Sequence, residues 1–217
     1  VKIALVSEGP SARAFPGGAG YDHVVGVNTV PTRWPCDWWV FADPDIYVCE
    51  GPSILGRPKM LTTSSLERAM NEKRFQAAGL ETRYREDRAA HRIYTEEEMP
   101  LLPAMPRDVP ILEAGNRRGQ PRWFNYSGLG ALVCCWFLGQ GVLEPTRDPV
   151  RTEVDVYGVD LQGIGDVNGK NGIGRTEGRW ERERCIWDGL IRGLERTGLM
   201  TVHWTPPEER HGETDAK

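Results

Sequence analysis

The sequence predicts an α/β fold: a Rossmann-like, mostly parallel sheet flanked by helices, in a single domain with an irregular insertion. Three observations carry this. Short apolar runs rich in β-branched residues recur at the length of buried strands. Three of them end in or just before a polar residue, as in sheets whose carboxyl edge forms a ligand crevice. Segments with apolar residues at helical spacing lie between the later runs.

Val1 to Val6 is the first run and stops at the Gly9-Pro10 turn; His23 to Val27 leads into Asn28, and Trp38 to Ala42 into Asp43. A short strand is expected at Lys59 to Leu61. Ser64-Ser65-Leu66-Glu67 then reads as a capping box opening a helix that runs to about Gly79. The stretch 81–125, rich in Arg, Glu and Pro from Glu81 to Arg122, is expected to be an inserted, exposed, partly irregular segment. The apolar run Leu129 to Leu138 after Ser127-Gly128 predicts a buried helix packed on the sheet. Val154 to Val159 alternates as a strand and ends in Asp160. Gly163 to Gly178 is expected to be a loop. Trp187, Leu190, Ile191 and Leu194 mark a helix over Trp180 to Thr197 closed by Gly198, Met200 to Trp204 a final strand, and 208–217 a frayed tail.

The 217 residues, 39% hydrophobic with eight Trp, are globular in composition. With 27 basic against 31 acidic side chains and a formal charge of -4, the surface as a whole does not suit a polyanion such as duplex DNA. Five Cys without a C-x-x-C pair or a nearby His argue against structural zinc and a disulfide framework. No apolar run approaches the ~20 residues that span a bilayer. The chain opens directly on a strand, without signal-peptide features, so a cytoplasmic location is expected.

Several places could carry chemistry. In Ser7-Glu8-Gly9-Pro10-Ser11, Gly9 can bring backbone amides close to a phosphate while Ser11 adds a hydroxyl or caps the next helix; an ordinary strand-to-helix turn looks the same. Asn28 can read a base or sugar edge, and Asp43 can bind a hydroxyl or a metal, although both types also cap turns. Ser127 and Gly128 open the apolar helix with free amides, and the glycines Gly128 and Gly130 suggest close ligand approach. Asp160 is the acid expected to be catalytic or ribose-binding. The candidate base His203 lies in the last strand, where a packed core histidine is the alternative. Asp166, Asn168, Lys170, Asn171 and Arg175, in the Gly-rich loop, could close over a substrate. The basic and aromatic stretch 116–124 could hold phosphates and stack a base.

Taken in order, Gly9-Pro10-Ser11, Asn28 after a strand, the Asp43 strand end, Ser127-Gly128 before an apolar helix and Gly158-Val159-Asp160-Leu161 resemble the sialyltransferase-like superfamily of bacterial glycan-modifying enzymes and its MptE-like relatives, which transfer diphosphate to a pterin alcohol. The resemblance spans most of the chain outside Glu81 to Arg122. It implies that Gly9, Pro10, Ser11, Asn28, Ser127 and Gly128 hold a nucleotide-sugar donor, and Ser7, Glu8 and Asp43 beside them are expected to line the same site. Asp160 or His203 would then activate an acceptor hydroxyl, and Mg²⁺ could be recruited through Asp43 or Asp160. Glycosyl transfer is the expected activity; the alternatives are Mg²⁺-dependent diphosphotransfer to a small alcohol, or nucleotide binding without catalysis. The acceptor could be a glycan, a small alcohol or a modified nucleic-acid base. Proteins of this look also occur in bacteriophages. The chain departs from the sialyltransferases in carrying Ser7-Glu8 where they have Asn-Gly, and in lacking a His soon after the Gly-x-Asp strand.

Overall fold

The computed structural model describes residues 1–70, 80–96, 98, 127–144, 149–161 and 177–204. Strands β1 (Lys2–Val6), β2 (His23–Val27), β3 (Trp38–Val40), β4 (Lys59–Thr62), β5 (Ile93–Thr95), β6 (Thr152–Tyr157) and β7 (Met200–His203) form one sheet in the order β5-β4-β3-β2-β1-β6-β7. Every neighbouring pair is parallel. The helices are α1 (Pro44–Glu50), α2 (Ser65–Met70), α3 (Leu80–Ala89), α4 (Ser127–Gly139) and α5 (Glu177–Glu195). This is the predicted α/β architecture, a Rossmann-like parallel sheet between helical layers.

Side chains alternate between the faces of a strand, and both faces here are covered, which explains why the strands read as continuous apolar runs. Ile3 and Leu5 of β1 face one layer, packed with Val25, Trp38, Val154 and the helices α4 and α5. Ala4 and Val6 face the other, packed with Ala12, Phe15 and Val30 from the connections after β1 and β2. Farther along that second face, Trp39, Phe41 and Met60 pack against Tyr47 of α1, Leu66 of α2 and Tyr84 of α3. Helix α4 is buried at every position from Leu129 to Gly139, so it has no polar face to betray its orientation. Its end lies so close to β6 that a Cβ on Gly139 would fall 2.0 Å from Thr152 Oγ1.

Three expectations are corrected. The segment read as an insertion from residue 81 begins inside α3, and its Ile93–Thr95 is the edge strand β5, paired to β4 through Met60 and Ile93. A three-residue strand after a charged helix leaves almost no periodic signal, and Arg88, which grips the Glu98 carboxylate with both terminal nitrogens at 2.9 and 2.6 Å, looked like solvated charge. Asp43-Pro44-Asp45, read as a turn, starts α1: Asp43 is the N-cap, accepting from Asp45 N at 3.0 Å, with Pro44 in the first turn. Helix α5 also starts at Glu177, inside the stretch assigned to a loop.

The end of the helix predicted to reach Gly79, the apolar run 109–112, the basic stretch 116–124, the loop residues Asp166, Asn168, Lys170, Asn171 and Arg175, and the tail 208–217 lie outside the described residues. Among the described residues no helix is long and apolar enough to cross a membrane.

Candidate functional site

Strand order fixes where a crevice can form. From β1 the chain adds β2, β3, β4 and β5 to one side, with its connections on one face of the sheet; α4 and α5 cover the other face, and β6 and β7 extend the opposite side. The connections leaving β1 and β6 therefore diverge to opposite faces, and the carboxyl edge between these neighbouring strands is the topological switch point, the usual ligand position in an open parallel sheet. Ser7 to Ser11 leaves one strand there and Gly158 to Asp160 the other.

The two turns are bound to each other. Ser7 N donates to Tyr157 O and Gly9 N to Gly158 O, both at 2.8 Å. Ser11 N donates to Asp160 Oδ2 at 2.8 Å, and the Ser11 hydroxyl donates to Asp160 Oδ1 while accepting from Gly158 N at 2.9 Å. A Cβ on Gly9 would lie 2.4 Å from Asp160 Oδ2 and 2.5 Å from Gly158 O. Gly9 thus makes room for the β6 turn, and the Gly9 and Ser11 amides expected to cradle phosphate are spent inside the protein. Pro10 starts the short 3-10 turn Pro10–Ala14 and brings no N–H. On the flank of the same strands Tyr21 donates to Asp155 Oδ2 at 2.8 Å and shares a 2.7 Å bond with Tyr157; burial first, then the Tyr157 bond, raises its hydroxyl far above the usual tyrosine range, so it stays protonated.

Glu8 points the other way, to the end of β2. Its Oε2 accepts from Asn28 Nδ2 at 2.9 Å, and its Oε1 accepts from Thr29 N at 3.1 Å and Thr29 Oγ1 at 2.7 Å. Asn28 has a left-handed backbone, φ 48°, a conformation Asn tolerates better than most side chains. It is pinned on every side: its N–H donates to Val40 O at 3.0 Å and its carbonyl accepts from the Trp39 indole at 2.7 Å. Because a carboxylate only accepts, Nδ2 must face Glu8, which leaves Oδ1 as an acceptor on the other side of the amide. Trp39→Phe, which removes the indole donor from the buried ring cluster of Trp39, Phe41 and Tyr47, is expected to cost about 1–3 kcal/mol; a urea titration checks it.

Ser127 joins this edge from α4, its Oγ accepting from Ala42 N at 3.2 Å while Thr63 Oγ1 donates to Ala42 O at 3.0 Å. The first-turn amides of α4 therefore open beside the end of β3. A Cβ on Gly128 would sit 3.5 Å from the Trp187 ring, an ordinary contact, so packing within the protein does not demand a glycine there. His203 is exposed at the end of the outermost strand, in register with Asp155, rather than packed in the core. The next residue, Trp204, stacks on Trp187 and donates to Val159 O at 3.0 Å, holding the β6 turn from the far side.

Asp43 and Asp160 do not share one magnesium ion. They follow β3 and β6, three strand spacings apart, about 14 Å, whereas two ligands of one Mg²⁺ lie within about 2.1 Å of it. Singly, Asp43 caps α1 and Asp160 accepts from Ser11 with both oxygens. No group of three His, Cys, Asp or Glu among the described residues could hold a metal.

Thr29 and Trp39 were missed in the sequence. Thr29 directly follows a strand-end Asn, a usable signal, but only folding shows that both its donors turn to Glu8. No protein-family model, curated protein or solved structure matches the chain, and its function is read from the crevice itself.

Proposed function

We propose that this chain is a glycosyltransferase-like enzyme that moves a group from a nucleotide-activated donor to an acceptor hydroxyl. The observation that carries the reading is the alignment of Glu8, Asn28 and the α4 N-terminus at Ser127 along one carboxyl edge, beside the switch point between β1 and β6. The nucleoside would lie over the ends of β1 and β2, with Asn28 Oδ1 as an acceptor for its donors. The phosphates would meet the first-turn amides of α4, since those of Gly9 and Ser11 are engaged. Asp160, in the turn that leaves β6 at the switch point, is the candidate to activate the acceptor.

Mg²⁺ is usually held by one or two carboxylates plus the substrate's own phosphates, so survival of the shift in EDTA separates glycosyl transfer from Mg²⁺-dependent diphosphotransfer. One observation favours a second reading, nucleotide binding without catalysis: the Asp160 carboxylate is committed to Ser11 through both oxygens. A thermal-shift screen with CDP, UDP, GDP, ADP and their sugar conjugates tests the proposal. A ligand at 100 times its Kd adds about 2.7 kcal/mol, or roughly 5–10 °C for a domain of this size. The expected result is a shift with at least one nucleotide, undiminished by EDTA, and sugar transfer or hydrolysis by the same conjugate. Absence of any shift overturns the nucleotide reading; a shift without turnover leaves the binding protein.

A further inference from the structure

The end of β2 presents a backbone N–H, a hydroxyl and a side-chain amide, from Thr29 and Asn28, converging on one point. Such a set would suit a phosphate or carboxylate oxygen, but the protein's own Glu8 carboxylate occupies it, at 3.1, 2.7 and 2.9 Å. Two consequences follow for anything bound alongside. An anionic group arriving at this strand end finds its donors taken and a negative charge in place. A group carrying hydroxyls finds acceptors instead: Asn28 Oδ1, oriented by the Glu8 contact, and Glu8 Oε2, which receives one hydrogen bond where a carboxylate oxygen can receive two.

We infer that Glu8 is a specificity-determining residue, selecting at the end of β2 a ligand part with two neighbouring hydroxyls and rejecting the same part once it carries a phosphate. Within the nucleotide reading above, on which this rests, that part is an unmodified ribose diol. Discrimination works in both directions: like-charge juxtaposition penalises the phosphorylated form, and a deoxy form leaves a part-buried acceptor without the hydrogen bond the hydroxyl gives it. Glu8→Gln should invert the logic. A glutamine whose carbonyl keeps Thr29 turns its NH₂ to Asn28, which flips and exposes its own NH₂, a donor, to the crevice.

The test uses the purified chain and calorimetric titration with the nucleoside 5′-diphosphates, followed by the 2′-deoxy and 3′-phosphorylated counterparts of whichever binds. The wild-type protein is expected to bind the intact diol at least tenfold more tightly than either counterpart. E8Q should bring the 3′-phosphorylated form to within about threefold of the diol. Tight binding of the diphosphate with equal affinity for its 3′-phosphorylated form overturns the role of Glu8 and leaves the nucleotide reading standing. Failure of every nucleoside diphosphate to bind overturns both. An E8Q protein that retains full discrimination also overturns it, and should that variant not fold, the wild-type comparison alone decides.

Discussion

Replacing Gly158 by alanine is expected to destabilise the protein by about 2–5 kcal/mol, the sum of a left-handed backbone penalty of about 1–2 kcal/mol and overpacking of about 1–3 kcal/mol. Gly158 has φ 73°, and a Cβ there would fall 2.2 Å from Ser7 O and 2.9 Å from the Ala12 Cβ. Neither obstacle is the end of a flexible side chain, so the β1 and β6 turns must separate. That strains Gly9 N to Gly158 O and Gly158 N to Ser11 Oγ, bonds that close the switch point. Gly198→Ala is the control, with φ 71° and nothing within 4 Å of the added carbon. It should show the backbone penalty alone, about 1–2 kcal/mol. Urea unfolding of the two variants checks the difference, and equal losses would show that the turns are not in tight contact.

The second large effect is expected at Asp160. In Asp160→Asn one oxygen can still accept from Ser11 N, but the new NH₂ faces the Ser11 hydroxyl, which already accepts from Gly158 N and now has no acceptor for its own proton. Losing a charge-assisted bond in this part-buried position should cost about 1.5–3 kcal/mol. Ser11→Ala removes the same contact from the other side and also strands Gly158 N. Because both substitutions break one network, the double variant should cost less than the sum, with a coupling of roughly 1–3 kcal/mol. A coupling near zero would mean that the Ser11–Asp160 contact contributes nothing to stability. If Asp160 also activates the acceptor, turnover in Asp160→Asn falls far more than the folded fraction does; in Ser11→Ala, which keeps the carboxylate, it follows the folded fraction.

How much of this was legible beforehand follows from the physics of each element. Strands β1, β2 and β3 are buried on both faces, so burial itself writes them into the sequence as apolar runs, and α4 was legible for the same reason; β6, buried on one face, was legible as an alternation. Strand β5 was not, because a three-residue edge beside charged α3 has too little apolar surface to leave a pattern. Asp43-Pro44-Asp45 gave a true local signal that fits a turn and a helix cap equally, and the packing of Tyr47 in the core made it a helix.

The same division applies to the opening candidate, the turn from Ser7 to Ser11. By itself the sequence determined that β1 ends there, that a glycine and a proline shape the turn, and that Asn28, Ser127 and Asp160 end or open neighbouring elements on one edge. Only the tertiary structure decided what the polar groups do. Hydrogen-bond partners are chosen by proximity across 20 to about 150 residues of chain, which no local pattern encodes: Ser11 and Gly9 turn to the β6 turn, while Glu8 turns to Asn28 and Thr29. The residue that broke the expected phosphate-binding pattern is thereby the one the folded protein places against the end of β2, where the proposed ligand would meet its charge.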